Sequence, residues 1–99
     1  MRKTVTIRPK DGPTLQEADT FGPLALWGVK FSDGMRYSVT HVASGRYITK
    51  GHDRDEALLI IGALLTLPID WTEDAPLNGN TERVALTLST IDRVKQVTP

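Results

Sequence analysis

Nine apolar residues in a row, Ala57 to Leu65, follow the acidic cluster Asp53-Arg54-Asp55-Glu56 and stop three residues short of Pro68. That run constrains the chain more than any other feature. Asp53 is a good N-cap, Glu56 stands at the capping-box position, and the acids suit the positive start of a helix. Pro68 ends it, so the spacing predicts a helix over 53–67. An ordinary surface helix is apolar along one stripe. This one is apolar all round for about two and a half turns, so it must be buried on more than one side. The rest of the chain, or a partner, has to supply both covers.

The first cover comes from the segment before it. Residues 4–8 alternate as a short edge strand between the cations Arg2, Lys3, Arg8 and Lys10, which discourage edge-to-edge pairing. Residues 9–23 hold three prolines and two glycines and read as loop, with Thr14 and Glu17 allowing one helical turn over 15–19. Residues 24–31 and 36–42 read as paired strands, and 46–50 as a third beyond the Ala43-Ser44-Gly45 turn. A two-residue Asp33-Gly34 turn would mix the faces. A three-residue loop, Ser32-Asp33-Gly34 with Gly34 left-handed, pairs Phe31 with Met35, Val29 with Tyr37 and Trp27 with Val39. It gathers the large apolar groups on one face, so it is the expected register. The other face then carries Gly28, Lys30, Arg36, Ser38 and Thr40.

The second cover comes from the C-terminal third. Residues 69–80 are an acidic loop with Asp70, Glu73, Asp74 and the anchor Trp71, expected to fold back on the helix. In 81–97, Val84, Leu88, Ile91 and Val94 fit a helical stripe that Asn80 or Thr81 can cap. Val84, Leu86 and Leu88 also alternate as in a strand; helix is preferred. The fold class is therefore α+β, a three- to four-stranded antiparallel meander with the helix on one face and a helical C-terminal segment. At 99 residues it is expected to be a single domain over 1–99.

Function is bounded mainly by exclusion. Without cysteine there is no disulfide scaffold, thiolate metal site or cysteine nucleophile, which fits a reducing, cytoplasmic setting. The N-terminal cations precede no apolar run of signal-peptide type, and nine apolar residues fall far short of the ~20 that cross a bilayer. His41 and His52 lack ligand spacing, and Ser38 or Ser44 with His41 lacks a nucleophile elbow. Ser44-Gly45 is turn chemistry and Asp53/Asp55/Glu56 a cap. The expectation is a protein that is not an enzyme, with no cofactor and no metal.

Charge is zero in total but divided. Residues 1–50 hold eight Lys/Arg against four Asp/Glu, and residues 51–99 the reverse. Two candidate partner surfaces follow: a basic one of Arg36, Arg46, Tyr47 and Lys50, and an acidic one of Asp70, Trp71, Glu73 and Asp74. The basic sheet could also meet nucleic acid. The strand–helix order resembles double-stranded-RNA-binding domains, but their lysine-rich helix start is replaced here by Asp53-Arg54-Asp55-Glu56, which repels phosphate.

Tyr37-Ser38-Val39-Thr40-His41, Ser44-Gly45, Thr49-Lys50-Gly51-His52-Asp53 and Asp55-Glu56-Ala57-Leu58 resemble a group of small phage and prophage proteins of unassigned role. They are also similar to the HicB-like antitoxin domain, where a strand–turn–strand leads through a glycine into a helix. Each likeness covers about a third of the chain. The phage resemblance implies a host protein as partner, and an inhibitor of a defence system such as an anti-CRISPR protein would be one instance. The antitoxin resemblance implies a nucleic-acid-associated regulator. A homodimer is the further expectation if one side of the central helix stays open.

Overall fold

The computed structural model describes residues 1–9 and 11–97; Lys10, counted above beside the first strand, lies outside the described residues. Five strands precede two helices: β1 (Arg2–Ile7), β2 (Thr14–Phe21), β3 (Leu24–Phe31), β4 (Gly34–His41), β5 (Tyr47–His52), α1 (Arg54–Leu65) and α2 (Thr81–Val97). The strands form one antiparallel meander in sequence order. The class is the α+β meander expected, and the C-terminal segment is helical.

The sheet has one strand more than the expected three to four. The addition is β2, which occupies the segment read as loop with a helical turn over 15–19. Of its eight residues only Ala18 is buried, so it carries none of the apolar alternation that announces a strand. Its partner supplies the order: β1 pairs with it along its whole length, Arg2 to Asp19 through Ile7 to Thr14.

The β3–β4 register corrects the expected one. Phe31 pairs with Gly34, Lys30 with Met35, Val29 with Arg36, Gly28 with Tyr37 and Trp27 with Ser38. The turn is Ser32-Asp33 alone, and Gly34 opens β4 at φ +130°. A shift of one residue flips every side chain. Leu24, Leu26, Tyr37, Val39 and His41 therefore share one face, and Ala25, Trp27, Val29, Phe31, Arg36, Ser38 and Thr40 share the other.

Both faces are covered, which is why gathering the apolar groups on one face was the wrong criterion. On the first, Leu24, Leu26 and Val39 pack under Ala57, Ile60, Ile61 and Leu64 of α1. On the second, Ala25 and Trp27 pack with Val5, Ile7 and Ala18. β2 pairs with β3 only through Asp19–Leu26, Thr20–Ala25 and Phe21–Leu24, and beyond that β1 and β2 curl over the sheet. The curl closes at one end, where the Arg8 N–H donates to the Gly45 carbonyl at 2.8 Å. Gly45 is required there. Its φ is +72°, and a Cβ would stand 2.7 Å from the Thr6 carbonyl oxygen.

α1 starts as expected. The Asp53 carboxylate accepts from the Glu56 N–H at 2.8 Å, and the helix ends at Thr66 as C-cap, before Pro68. Trp71 folds back, its Nε1–H donating to the Leu64 carbonyl at 2.9 Å. The far side of α1 is covered by α2, capped by Asn80, whose side-chain oxygen accepts from the Arg83 N–H at 3.0 Å. The buried stripe of α2 is rotated from the expected one: Thr87, Thr90, Ile91 and Val94 face inward, while Leu88 is 56% exposed. The two threonines tolerate this because their hydroxyls donate to the Arg83 and Leu86 carbonyls. The open face that suggested a homodimer is thus largely closed within the chain, with Leu59 and Leu65 left at its margin.

Candidate functional site

On the curled face, beyond the cover of β1 and β2, the outer halves of β3 and β4 and strand β5 enclose a groove of about 540 Å³ lined by Trp27, Val29, Phe31, Arg36, Tyr47 and Lys50 among others. The register puts these groups together. Trp27 pairs with Ser38 and Val29 with Arg36, so they share a face, and Tyr47 joins it opposite Thr40. Three of the four basic-surface candidates, Arg36, Tyr47 and Lys50, meet here.

The groove has a built floor. The Trp27 Nε1–H donates to the Thr40 hydroxyl at 2.9 Å, which fixes the indole. The Trp27 and Tyr47 rings stand 5.7 Å apart at 30°. Each cation lies against a ring: the Arg36 guanidinium is 5.9 Å from the Phe31 centroid and the Lys50 ammonium 5.7 Å from that of Tyr47. Arg36 is also held by Asp33 at 2.5 Å. Phe31 is 53% exposed and Val29 42%. On the opposite side of the same hairpin tip Met35 is exposed too.

Among the described residues no carboxylate lines the groove. The strand carboxylates Glu17 and Asp19 fall on the helix-side face, where Asp19 pairs with Arg54 of α1 at 3.5 Å. On that face Arg2 pairs with Glu17 and Asp19 and Lys30 stands opposite Met35, so the strand charges balance, whereas the groove carries Arg36 and Lys50 and favours a ligand with negative charge and apolar or aromatic groups.

Arg46 lies on the other side of Tyr47, beside a second cavity. The acidic set is mostly occupied by the fold itself. Trp71 is 4% exposed: its ring packs in the core, its N–H is spent on Leu64, and it borders the second cavity. Glu73 pairs with Arg83 at 2.8 Å. The Asp70 carboxylate accepts from both the hydroxyl and the N–H of Thr72. Asp74 is exposed on the loop, outside the groove lining.

The two histidines are clasps. The His41 Nδ1 accepts from the Ser44 hydroxyl at 2.8 Å, and its Nε2–H donates to the Trp71 carbonyl at 2.6 Å. Ser44 in turn accepts from the Arg46 N–H at 3.2 Å. This joins the β4–β5 turn to the loop after α1. The third member of the set is a main-chain carbonyl, and Ser38 lies on the opposite face. His52 meets the Glu56 carboxylate at 2.5 Å and the Thr49 hydroxyl at 2.6 Å, tying β5 to the first turn of α1.

No protein-family model, curated protein or solved structure matches the chain. No described helix is long and apolar enough to cross a membrane. The site is read from its geometry.

Trp27, Val29 and Phe31 are the groove residues that the sequence reading missed. They sit at alternate positions and were assigned to the helix-covered face, so the exposure of Val29 and Phe31, and the place of buried Trp27 in the groove floor, were hidden by the one-residue shift. The signal that could have found them is Gly28, a strand glycine that marks a close approach by the opposite side chain.

Proposed function

We propose that this chain is a non-catalytic binding module that docks on another protein through the tip of the β3–β4 hairpin and the adjoining groove. The observation that carries the reading is a fixed set of aromatic rings and cations, with no lining carboxylate among the described residues and with Phe31 half open to solvent. Aromatic, Met and Arg side chains are the groups that anchor protein interfaces. Here they stand preorganised by ring contacts, so little side-chain entropy is lost on docking. The partner surface is acidic with apolar groups that reach between Phe31 and Tyr47. In the setting of the phage resemblance, the module is an inhibitor or regulator of a host protein.

A protein partner fits better than nucleic acid. Phosphate-backbone binding grows with the number of cations. The groove offers two, Arg36 and Lys50, and the chain is neutral overall. Apolar exposure on both sides of the hairpin tip, Phe31 on one and Met35 on the other, is also spent on a protein surface rather than on a strand of bases.

The test is affinity capture from nuclease-treated bacterial lysate with the wild type and with Phe31→Ala combined with Arg36→Glu. Circular dichroism confirms that the variant is folded. A protein recovered in stoichiometric amount by the wild type and lost with the variant supports the reading. Equal recovery by both, or recovery of nucleic acid only when nuclease is omitted, overturns it.

A further inference from the structure

A second cavity, of about 360 Å³, lies between the β4–β5 turn and the loop after α1. It is separate in chemistry from the groove, although Tyr47 lines both. Its wall is largely apolar, formed by Tyr47, Trp71 and Leu77 with their neighbours. Its polar groups are few: Arg46, Asn78, Ser44 and His41. A mostly apolar cavity of roughly 300–1,000 Å³ with a small number of convergent polar groups is the form a small-molecule site takes.

The polar groups are not equivalent. His41 spends both ring nitrogens on Ser44 and Trp71, and the Ser44 hydroxyl donates to His41. Neither offers a free donor to a ligand. Arg46 does. Arg2, Arg36, Arg54 and Arg83 each have a carboxylate partner, whereas among the described residues no carboxylate pairs with Arg46. The Asn78 amide likewise makes no side-chain hydrogen bond among the described residues. The cavity thus presents one planar cation and one neutral amide at the margin of an apolar wall, with no acid lining it.

We infer that this cavity is a binding site for a small organic monocarboxylate with an aromatic or branched apolar body. A guanidinium fork matches a planar carboxylate in two parallel N–H···O bonds. A phosphate dianion would ask for more positive charge than one arginine supplies. The Asn78 amide donates to a carboxylate oxygen, and the apolar body lies against Tyr47, Trp71 and Leu77. The clasp of His41 onto the Trp71 carbonyl holds the two sides of the cavity in register, so the site is formed before the ligand arrives.

The experiment is a titration of the ¹⁵N-labelled protein with benzoate, phenylacetate and indole-3-acetate, each beside its uncharged amide. The expected result is saturable shifts of the backbone signals of residues 44–48 and 75–78 with the acids. The amides should bind about ten- to hundredfold more weakly, the range a charge-assisted hydrogen bond is worth. Arg46→Met removes the cation at an exposed position and should weaken the acids by the same factor. Leu77→Trp fills the cavity and should abolish the shifts, its fold verified by the unchanged signals of β1 and β2. Equal binding of acids and amides, acid binding unaffected by Arg46→Met, shifts confined to Trp27 and Lys50 in the groove, or no saturable shift at all would each overturn the inference.

Discussion

The Tyr37 ring lies over Gly28: a Cβ at position 28 would stand 2.8 Å from the ring's Cε2 and 2.9 Å from the Met35 terminal methyl. Gly28 and Tyr37 are cross-strand partners, so the glycine leaves the space that this register needs. Gly28→Ala should cost about 1–3 kcal/mol, the range for forcing an extra carbon into a packed site. In a Tyr37→Ala background most of that cost should disappear. A double-mutant cycle by urea unfolding reads the coupling. Strictly additive costs would mean that Tyr37 does not lie across position 28.

That contact also explains what could be read in the sequence. α1 was legible because its cap and its stop are local: Asp53 binds the Glu56 N–H, and Pro68 follows. α2 was legible for the same reason through Asn80. β2 was not, because its order comes from β1 rather than from its own side chains. The register was not, because the sheet has apolar cover on both faces, and Val5, Ile7 and Ala18 take the place a solvent face would have held. Arg36 and Lys50 were found by charge, and Tyr47 as the aromatic beside them. Their neighbours Trp27, Val29 and Phe31 were lost with the register. Trp71 was recognised as an anchor, and the fold buries it against α1.

His41 should matter for stability out of proportion to its size. It is buried and joins Ser44 to the Trp71 carbonyl. His41→Phe leaves that carbonyl buried without its donor, a loss of about 1–3 kcal/mol. For a chain of this size each kcal/mol lowers the melting temperature by roughly 4–8 °C. Thermal unfolding followed at 222 nm checks it; an unchanged midpoint would show that the clasp contributes nothing.

Gly62 should be replaceable with profit. It is exposed in the interior of α1, and a Cβ there meets nothing within 4 Å. Gly62→Ala removes the backbone entropy cost of a helical glycine, a gain of about 0.5–1 kcal/mol. Urea unfolding should show a higher midpoint at unchanged slope. A lower midpoint would mean that this surface of α1 is occupied.

Asp70 should titrate low. The Thr72 hydroxyl and then the Thr72 N–H hold its carboxyl below the usual aspartate value, against an opposing effect of desolvation and with a still weaker attraction from Arg83. A carboxylate lowered in the folded state stabilises above its unfolded pKa, about 3.9. That contribution is lost as the pH falls through the lower, folded value. Carbon-detected NMR titration should place the Asp70 midpoint below the ordinary one, and Thr72→Val should raise it. An unmoved midpoint in Thr72→Val would assign the shift to another cause.

The central claim is that the groove, and not the helical side of the molecule, meets the partner. Phe31 at the groove and Leu88 on α2 are equally open, at 53% and 56%, so they make a matched pair for a photo-crosslinking side chain. Benzoyl-phenylalanine is placed at one position or the other, and the protein is irradiated in bacterial lysate. The account predicts a discrete protein adduct from position 31 and none from position 88. An adduct from position 88 with none from position 31, or adducts to nucleic acid alone, would contradict it.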